Sequence, residues 1–184
     1  MKRINRIMAL FVAMVMSLML SINVYADEKI VPELLTQKEI SNSLQDVPKD
    51  MKLVGTSQMD LDENTYIETE SYEAEINGLT RAGDKTKIGT YTYRVKDKKT
   101  QVALIKYVLT GKFTYNGRSC KCTESIGVTT HLVRNRFLVL NDRSEKSGDT
   151  AIGYFYCRDK KNNNKMFGGT FKIRINKNGK ITFP

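Results

Sequence analysis

Tryptophan is absent from this 184-residue chain, and histidine occurs once, as His131. Without indole the usual stacking platform for sugars is missing; nine tyrosines remain, but most fall at strand positions and read as packing residues. With a single histidine, any Ser–His or Cys–His nucleophilic pair would rest on His131 alone, and a structural zinc site would lack ligands, because no second histidine accompanies Cys122 and His131. The chain also has no G-x-S-x-G elbow, no phosphate-binding P-loop and no H-E-x-x-H helix. These absences argue against an enzyme, and no cofactor or metal is expected.

What is present starts at the N-terminus. Lys2, Arg3 and Arg6 precede an apolar run from Ile7 to Leu20 broken only by Ser17, and Val24-Tyr25-Ala26 ends on a small residue. A basic start, a short apolar centre and a small residue at the cut form a secretory signal peptide over residues 1–26, the centre being too short for a membrane span. No cysteine follows the apolar run, and Ile181-Thr182-Phe183-Pro184 offers neither an apolar tail nor a sorting motif. The expectation is a secreted, extracellular protein with no stable membrane anchor. Export removes cellular nucleic acid from its partners and leaves anionic cell-wall polymers, acidic glycans or another protein.

Charge is divided sharply. Residues 27–75 hold four lysines and thirteen carboxylates, net −9, whereas residues 76–184 hold 23 basic and seven acidic residues, net +16. Such segregation either lays the acidic part on a basic sheet face or leaves that face for an anionic partner. Three cysteines in an exported chain give one disulfide and one free thiol, or else three buried reduced thiols that pack as small hydrophobes. Cys120 and Cys122 sit two apart on one strand, too far for an easy bridge to each other, so the expected bond joins Cys122 to Cys157, with Cys120–Cys157 as the alternative.

Residues 27–50 are polar and contain Pro32 and Pro48; Thr36 and Glu39 have capping-box spacing, with Ile40 and Leu44 on one helical face. This is a lead-in, either disordered or one short helix. From Met51 the pattern turns to period two. Met51–Ser57, Thr65–Ile76, Thr90–Val95, Gln101–Tyr115, Arg136–Asn141, Thr150–Arg158, Thr170–Asn176 and Lys180–Phe183 read as strands between polar or glycine-bearing turns. Asn116-Gly117 predicts a two-residue type I′ hairpin pairing Tyr115 with Arg118 and Phe113 with Cys120. One face then gathers Tyr107, Leu109, Phe113, Cys120 and Cys122, and the other Thr110, Lys112, Thr114, Lys121 and Thr123. Eight or nine such strands over residues 51–184 predict an all-β, antiparallel, immunoglobulin-like sandwich.

Three groups of side chains carry functional expectations. Lys112, Lys121, Lys172 and Arg174 alternate outward on predicted strands and form the candidate anion-binding face. Glu68 and Glu70 share one strand face, and Glu73 and Glu75 another; as an acid–base pair they would make a small secreted hydrolase, although acids on an edge strand more commonly block edge pairing. The loop Lys160–Lys165 would serve an immunity or inhibitor protein that meets another protein. Asp60, Asp62 and Asn64 begin like a calcium loop, but Thr65 replaces the turn glycine and Ser71 the bidentate glutamate, so an Asp/Asn turn is expected.

The runs Thr110-Gly111-Lys112-Phe113-Thr114-Tyr115-Asn116-Gly117 and Ser147-Gly148-Asp149-Thr150-Ala151, with Cys122-Thr123-Glu124-Ser125 between them, resemble small secreted β-rich proteins of Gram-positive bacteria. Those proteins carry a T-G-x-F-x-Y-N-G hairpin and a later S-G-x-T-A strand. The resemblance spans residues 47–184 and implies a compartment and an architecture but no assigned activity. Tyr154, Phe155 and Tyr156 make the strand after Ala151 more aromatic than the resemblance implies, and Cys120 is an additional thiol. The sum is a secreted, non-enzymatic β-protein that binds an anionic surface polymer.

Overall fold

The computed structural model describes residues 50–76 and 83–184. The signal peptide over 1–26 and the lead-in, apart from Asp50, lie outside the described residues. Within them the chain is all-β: 71% is strand, none is helix, and every strand pairing is antiparallel.

Ten strands form two sheets. The first is a meander of β1 (Lys52–Asp60), β2 (Thr65–Ile76), β3 (Lys85–Asp97), β4 (Ala103–Tyr115) and β5 (Cys120–His131), each paired with its neighbour in sequence. The second has β8 (Thr150–Asp159) and β9 (Lys165–Ile175) at its centre. The two-residue β10 (Ile181–Thr182) flanks β9, and the other edge is shared end to end by β6 (Phe137–Asn141) and β7 (Ser144–Ser147). An immunoglobulin-like order would need Greek-key returns between sheets. Here the described chain crosses from one sheet to the other once, after β5, because short turns tie each strand to its predecessor.

The period-two pattern fixes what faces inward. Tyr91, Tyr93 and Val95 of β3, Ile105, Tyr107, Leu109 and Phe113 of β4, and Ala151, Phe155, Cys157, Phe171 and Ile173 of β8 and β9 belong to one buried cluster. Phe155 is its hub: its ring stacks on Tyr107 at 5.0 Å and meets the edges of Tyr93 and Phe167 at 5.7 and 6.2 Å.

The Asn116-Gly117 turn is wider than the two-residue hairpin expected from the sequence. Tyr115 pairs with Cys120 and Phe113 with Cys122, leaving four residues in the loop. Asn116 stays out of the left-handed region; its Oδ1 accepts the Arg118 and Ser119 N–H groups at 3.0 and 2.9 Å, and only Gly117 takes positive φ, at 82°. An Asx turn has displaced the I′ turn. The apolar face survives next to the turn because the register there moves by two residues, an even number; beyond it a bulge between Lys112 and Phe113 sets Gly111 opposite Ser125.

Candidate functional site

The two sheets close on one side and open on the other. On the closed side, Cys122 N–H donates to Gly148 O at 2.8 Å, Lys146 Nζ to Thr123 O at 2.7 Å and Ser144 Oγ to Ser125 O at 3.2 Å, stitching β5 to β7 and the turn before β8. On the open side, the second sheet packs against β3, β4 and β5. β1, exposed at every position, and β2 project beyond it as a wing. The wing is latched at one end, where Asn162 Nδ2 donates to Asp62 Oδ2 at 2.7 Å and Lys165 Nζ bonds Leu61 O.

Between the wing and β9 lies a cleft of about 470 Å³. Tyr91, Tyr93, Phe167 and Phe171 form its floor, Ile67 and Leu61 one wall, and Ser57 and Thr69 its polar share; no charged side chain lines it. Met59 and Met166, 61% and 56% exposed, stand at the rim. The phenols in the floor are engaged: Tyr91 with the Thr69 hydroxyl and Tyr93 with the Gly168 main chain, and burial raises both above the ordinary tyrosine value. The cleft offers aromatic and thioether surface and no group poised to transfer a proton. Its size is that of a small-molecule or side-chain pocket. Strand position in the sequence reads Tyr91, Tyr93 and Phe171 as packing residues, but Phe167 precedes the strand read there, and nothing local shows that the second sheet stops short of β1 and leaves these edges open.

The four candidate anion-binding residues do not come together. Lys112 and Lys121 project from β4 and β5 on the outside of the first sheet, where Lys112 faces Glu124 across the ladder. Lys172 and Arg174 project from β9 on the outside of the second, opposite in direction to Phe171, Ile173 and Ile175. Arg174 Nε is paired with Asp149 Oδ2 at 2.9 Å. On that second outer face Tyr154 joins them, its hydroxyl donating to Glu145 at 2.6 Å and its ring covered by the Arg143 guanidinium at 4.4 Å. Tyr156 and Arg158 lie along the same face.

The candidate acid–base carboxylates are also divided. Glu68 and Glu70 stand outside the first sheet in an ion-pair network: Arg94 Nη1 lies 2.6 Å from Glu70 and 3.4 Å from Glu68, and Lys96 Nζ lies 3.2 Å from Glu68. Glu75 points to the other face and accepts the Tyr115 hydroxyl at 3.2 Å. Burial by itself would raise the Glu70 carboxyl, but the Tyr72 hydroxyl and Arg94 outweigh it and hold Glu70 below its ordinary value of 4.5. That is the direction opposite to a general acid. Because the folded value is the lower one, this contribution to stability is complete above about pH 4.5 and is lost as pH falls through the folded value. Acid unfolding of Glu70→Gln should therefore be less pH-dependent than that of the wild type below about pH 5; identical acid profiles would refute the network's role.

The expected Cys122–Cys157 disulfide is not formed; all three cysteines are free. Cys122 is fixed beside Gly148, at the start of β8, whereas Cys157 lies seven residues beyond Thr150 on that strand, about 23 Å away at strand rise, against about 7 Å for a bridge. Cys120, whose Sγ lies 3.5 Å from Ile175 O, is at the same far end. Burial pushes the Cys157 thiol up to about 12 and raises Cys122 as well. Thiol titration should find three free thiols on unfolding, with Cys120 alone reacting quickly in the native protein; a mobility shift on reduction would restore the bridge.

The remaining motifs lie in turns and at a strand end. Asp62 accepts Asn64 N–H and Thr65 N–H at 2.8 and 2.7 Å and the Thr65 hydroxyl at 2.7 Å, the Asp/Asn turn expected from the sequence, while Asp60 pairs with Lys98 at 3.0 Å. The Lys160–Lys165 turn is shaped by left-handed Asn163 and Asn164 and is tied to the Asp62 turn by Asn162. His131 ends β5 at the surface.

Fold and cleft define an all-β, two-sheet protein with an aromatic cleft on its open side whose lining side chains carry no charge. No protein-family model, curated protein or solved structure matches the chain.

Proposed function

We propose that this is a secreted, non-enzymatic binding protein that takes an uncharged apolar group into the cleft between β1–β2 and β9. The observation that carries this reading is the lining: four aromatic floors and two exposed methionines around about 470 Å³ with no charged side chain. Burying apolar ligand surface there is favourable at about 25 cal/mol per Å², and flexible thioethers adapt to the shape of what enters. The N-terminal leader read over residues 1–26 supplies the extracellular setting. A neutral apolar fluorophore, N-phenylnaphthylamine, should bind with one-to-one stoichiometry and gain fluorescence. Met59→Lys, which places an ammonium at an already exposed rim position, should weaken binding about tenfold or more without lowering the melting temperature. Equal binding by wild type and variant would remove the cleft from the function.

A second reading is favoured by the outer face of the second sheet, where Lys172, Arg174, Arg158 and Arg143 accompany Tyr154 and Tyr156. This basic, aromatic surface suits an anionic wall polymer better than Lys112 and Lys121, which stand on the opposite side of the molecule. Binding to such a polymer should fall steeply as salt rises from low ionic strength to about 0.5 M, and Lys172→Glu should weaken it while Lys121→Glu does not. Retention that ignores salt would rule this reading out.

A further inference from the structure

We infer that the occupant of the open side is an extended polypeptide that adds to the free edge of β1 as a sixth strand of the first sheet, running antiparallel to it. This rests on the cleft reading above and names the chemistry of what enters. β1 pairs with β2 along one edge, and among the described residues no strand pairs with its other edge. All nine of its residues are exposed, and from Leu53 to Met59 it has neither a charge nor a proline to blunt the edge; a bulge at Val54 leaves Gly55–Asp60 as its regular ladder. β9 also has an unpaired edge along most of its length, but it borders only the aromatic cleft, whereas β1 borders three cavities on its two faces. β1 therefore offers the better template.

What identifies a strand, rather than a compact ligand, is the arrangement of cavities along β1. On the inner side, Ser57 and Met59 border the aromatic cleft, and Val54 borders a second cavity of about 490 Å³ toward the other end of the strand. On the outer side, Gln58 and Asp60 border a third, about 530 Å³ and polar, with Lys98 and Gln101. A strand laid against β1 sends successive side chains to opposite faces, alternate ones about 6.8 Å apart, so it meets cavities on both faces. Main-chain hydrogen bonds would supply affinity and these cavities selectivity.

The chemistry of the three cavities sets the sequence preference. The cleft at the Met59 end takes an apolar side chain. The cavity at the Val54 end contains Lys87 and Lys180 against a single Glu73, so it favours a carboxylate. Met59 and Val54 are five positions apart, and the bulge at Val54 brings both to the inner face, so a regular partner strand spans them in about four positions, about 13 Å at strand rise. An antiparallel partner thus presents the apolar residue first and the acidic residue about four positions later, an even spacing that keeps both on the inner face.

The test uses the purified protein and a synthetic peptide with valine at positions one, three and five, glutamate at seven (four after the middle valine) and threonine between. Hydrogen exchange should show new protection confined to β1 amides. Single backbone N-methylation of the peptide should weaken binding about tenfold at every second position and hardly at all between them, since only alternate N–H groups face β1. Lys87→Glu with Lys180→Glu should reverse the preference for glutamate over lysine at position seven. N-methyl effects without this alternation, or protection arising elsewhere, would overturn the proposal. So would β1 amides already protected in the free protein by a second copy. Loss of peptide binding while N-phenylnaphthylamine still binds would defeat the strand alone; loss of both would defeat the cleft reading too.

Discussion

Replacing Phe155 by alanine should destabilise the protein by about 3–5 kcal/mol, the range for removing a buried aromatic ring, and lower its melting temperature by on the order of 10 °C. Phe155 is fully buried and joins the two sheets through Tyr107, Tyr93 and Phe167. Its removal takes away the apolar contact and leaves a cavity that stacked strands close poorly. Tyr156, one residue on, points to the opposite face and is 37% exposed; Tyr156→Ala should cost less than about 1 kcal/mol. Urea unfolding of the two variants measures the contrast, and comparable losses would contradict the assignment of inner and outer faces. Phe155 also supports the ring of Phe167, so the alanine variant should lose N-phenylnaphthylamine binding under conditions where it remains folded.

Asp159→Ala should be of similar size, about 3–5 kcal/mol, because it strands the charge of a largely buried guanidinium. Asp159 is 4% exposed at the end of β8. Its carboxylate receives Arg136 Nε at 3.1 Å on both oxygens, Arg136 Nη2 at 2.7 Å and Lys161 N–H at 3.0 Å. Arg136 also lies over the Phe137 ring at 5.1 Å, fastening the start of β6 to the end of β8. Removing both partners in Arg136→Ala/Asp159→Ala should recover part of the loss, since no unpaired buried charge remains. A double variant less stable than the sum of the singles would show that the pair acts through packing rather than charge.

The inward positions of β4 and of the second half of β9 were legible because burial on one side of a sheet imposes alternation. Phe113, Phe171 and Ile173 needed no tertiary information to be placed in the core, whereas Tyr154-Phe155-Tyr156 is aromatic at three successive positions and only the tertiary structure selected Phe155. β7 was not legible. Ser144-Glu145-Lys146-Ser147 has no apolar periodicity and becomes a strand only because Thr150–Gly153 offers it a ladder. β9 begins five residues earlier than its pattern suggests, since Met166 and the two glycines after it are held by pairing with β8 rather than by propensity. The hairpin at Asn116 was legible as a turn but not as a turn type, because the Asn side chain competes with the main chain for the same N–H groups.

The candidate site shows the same division. Alternation states that Lys112, Lys121, Lys172 and Arg174 face solvent, but it cannot say that two face one way and two the other. That depends on which sheet each strand joins. Spacing places Cys122 and Cys157 on strands, whereas the distance between them depends on how far along β8 the first sheet makes contact. Strand periodicity, a local property of the chain, determined by itself that the described residues form antiparallel β-structure with Tyr107, Phe113 and Phe171 on apolar faces. The tertiary structure alone decided that the sheets close at β5 and stand open at β1. That opening is set by the register and overlap of strands far apart in sequence, and it leaves an aromatic cleft beside an unpaired edge.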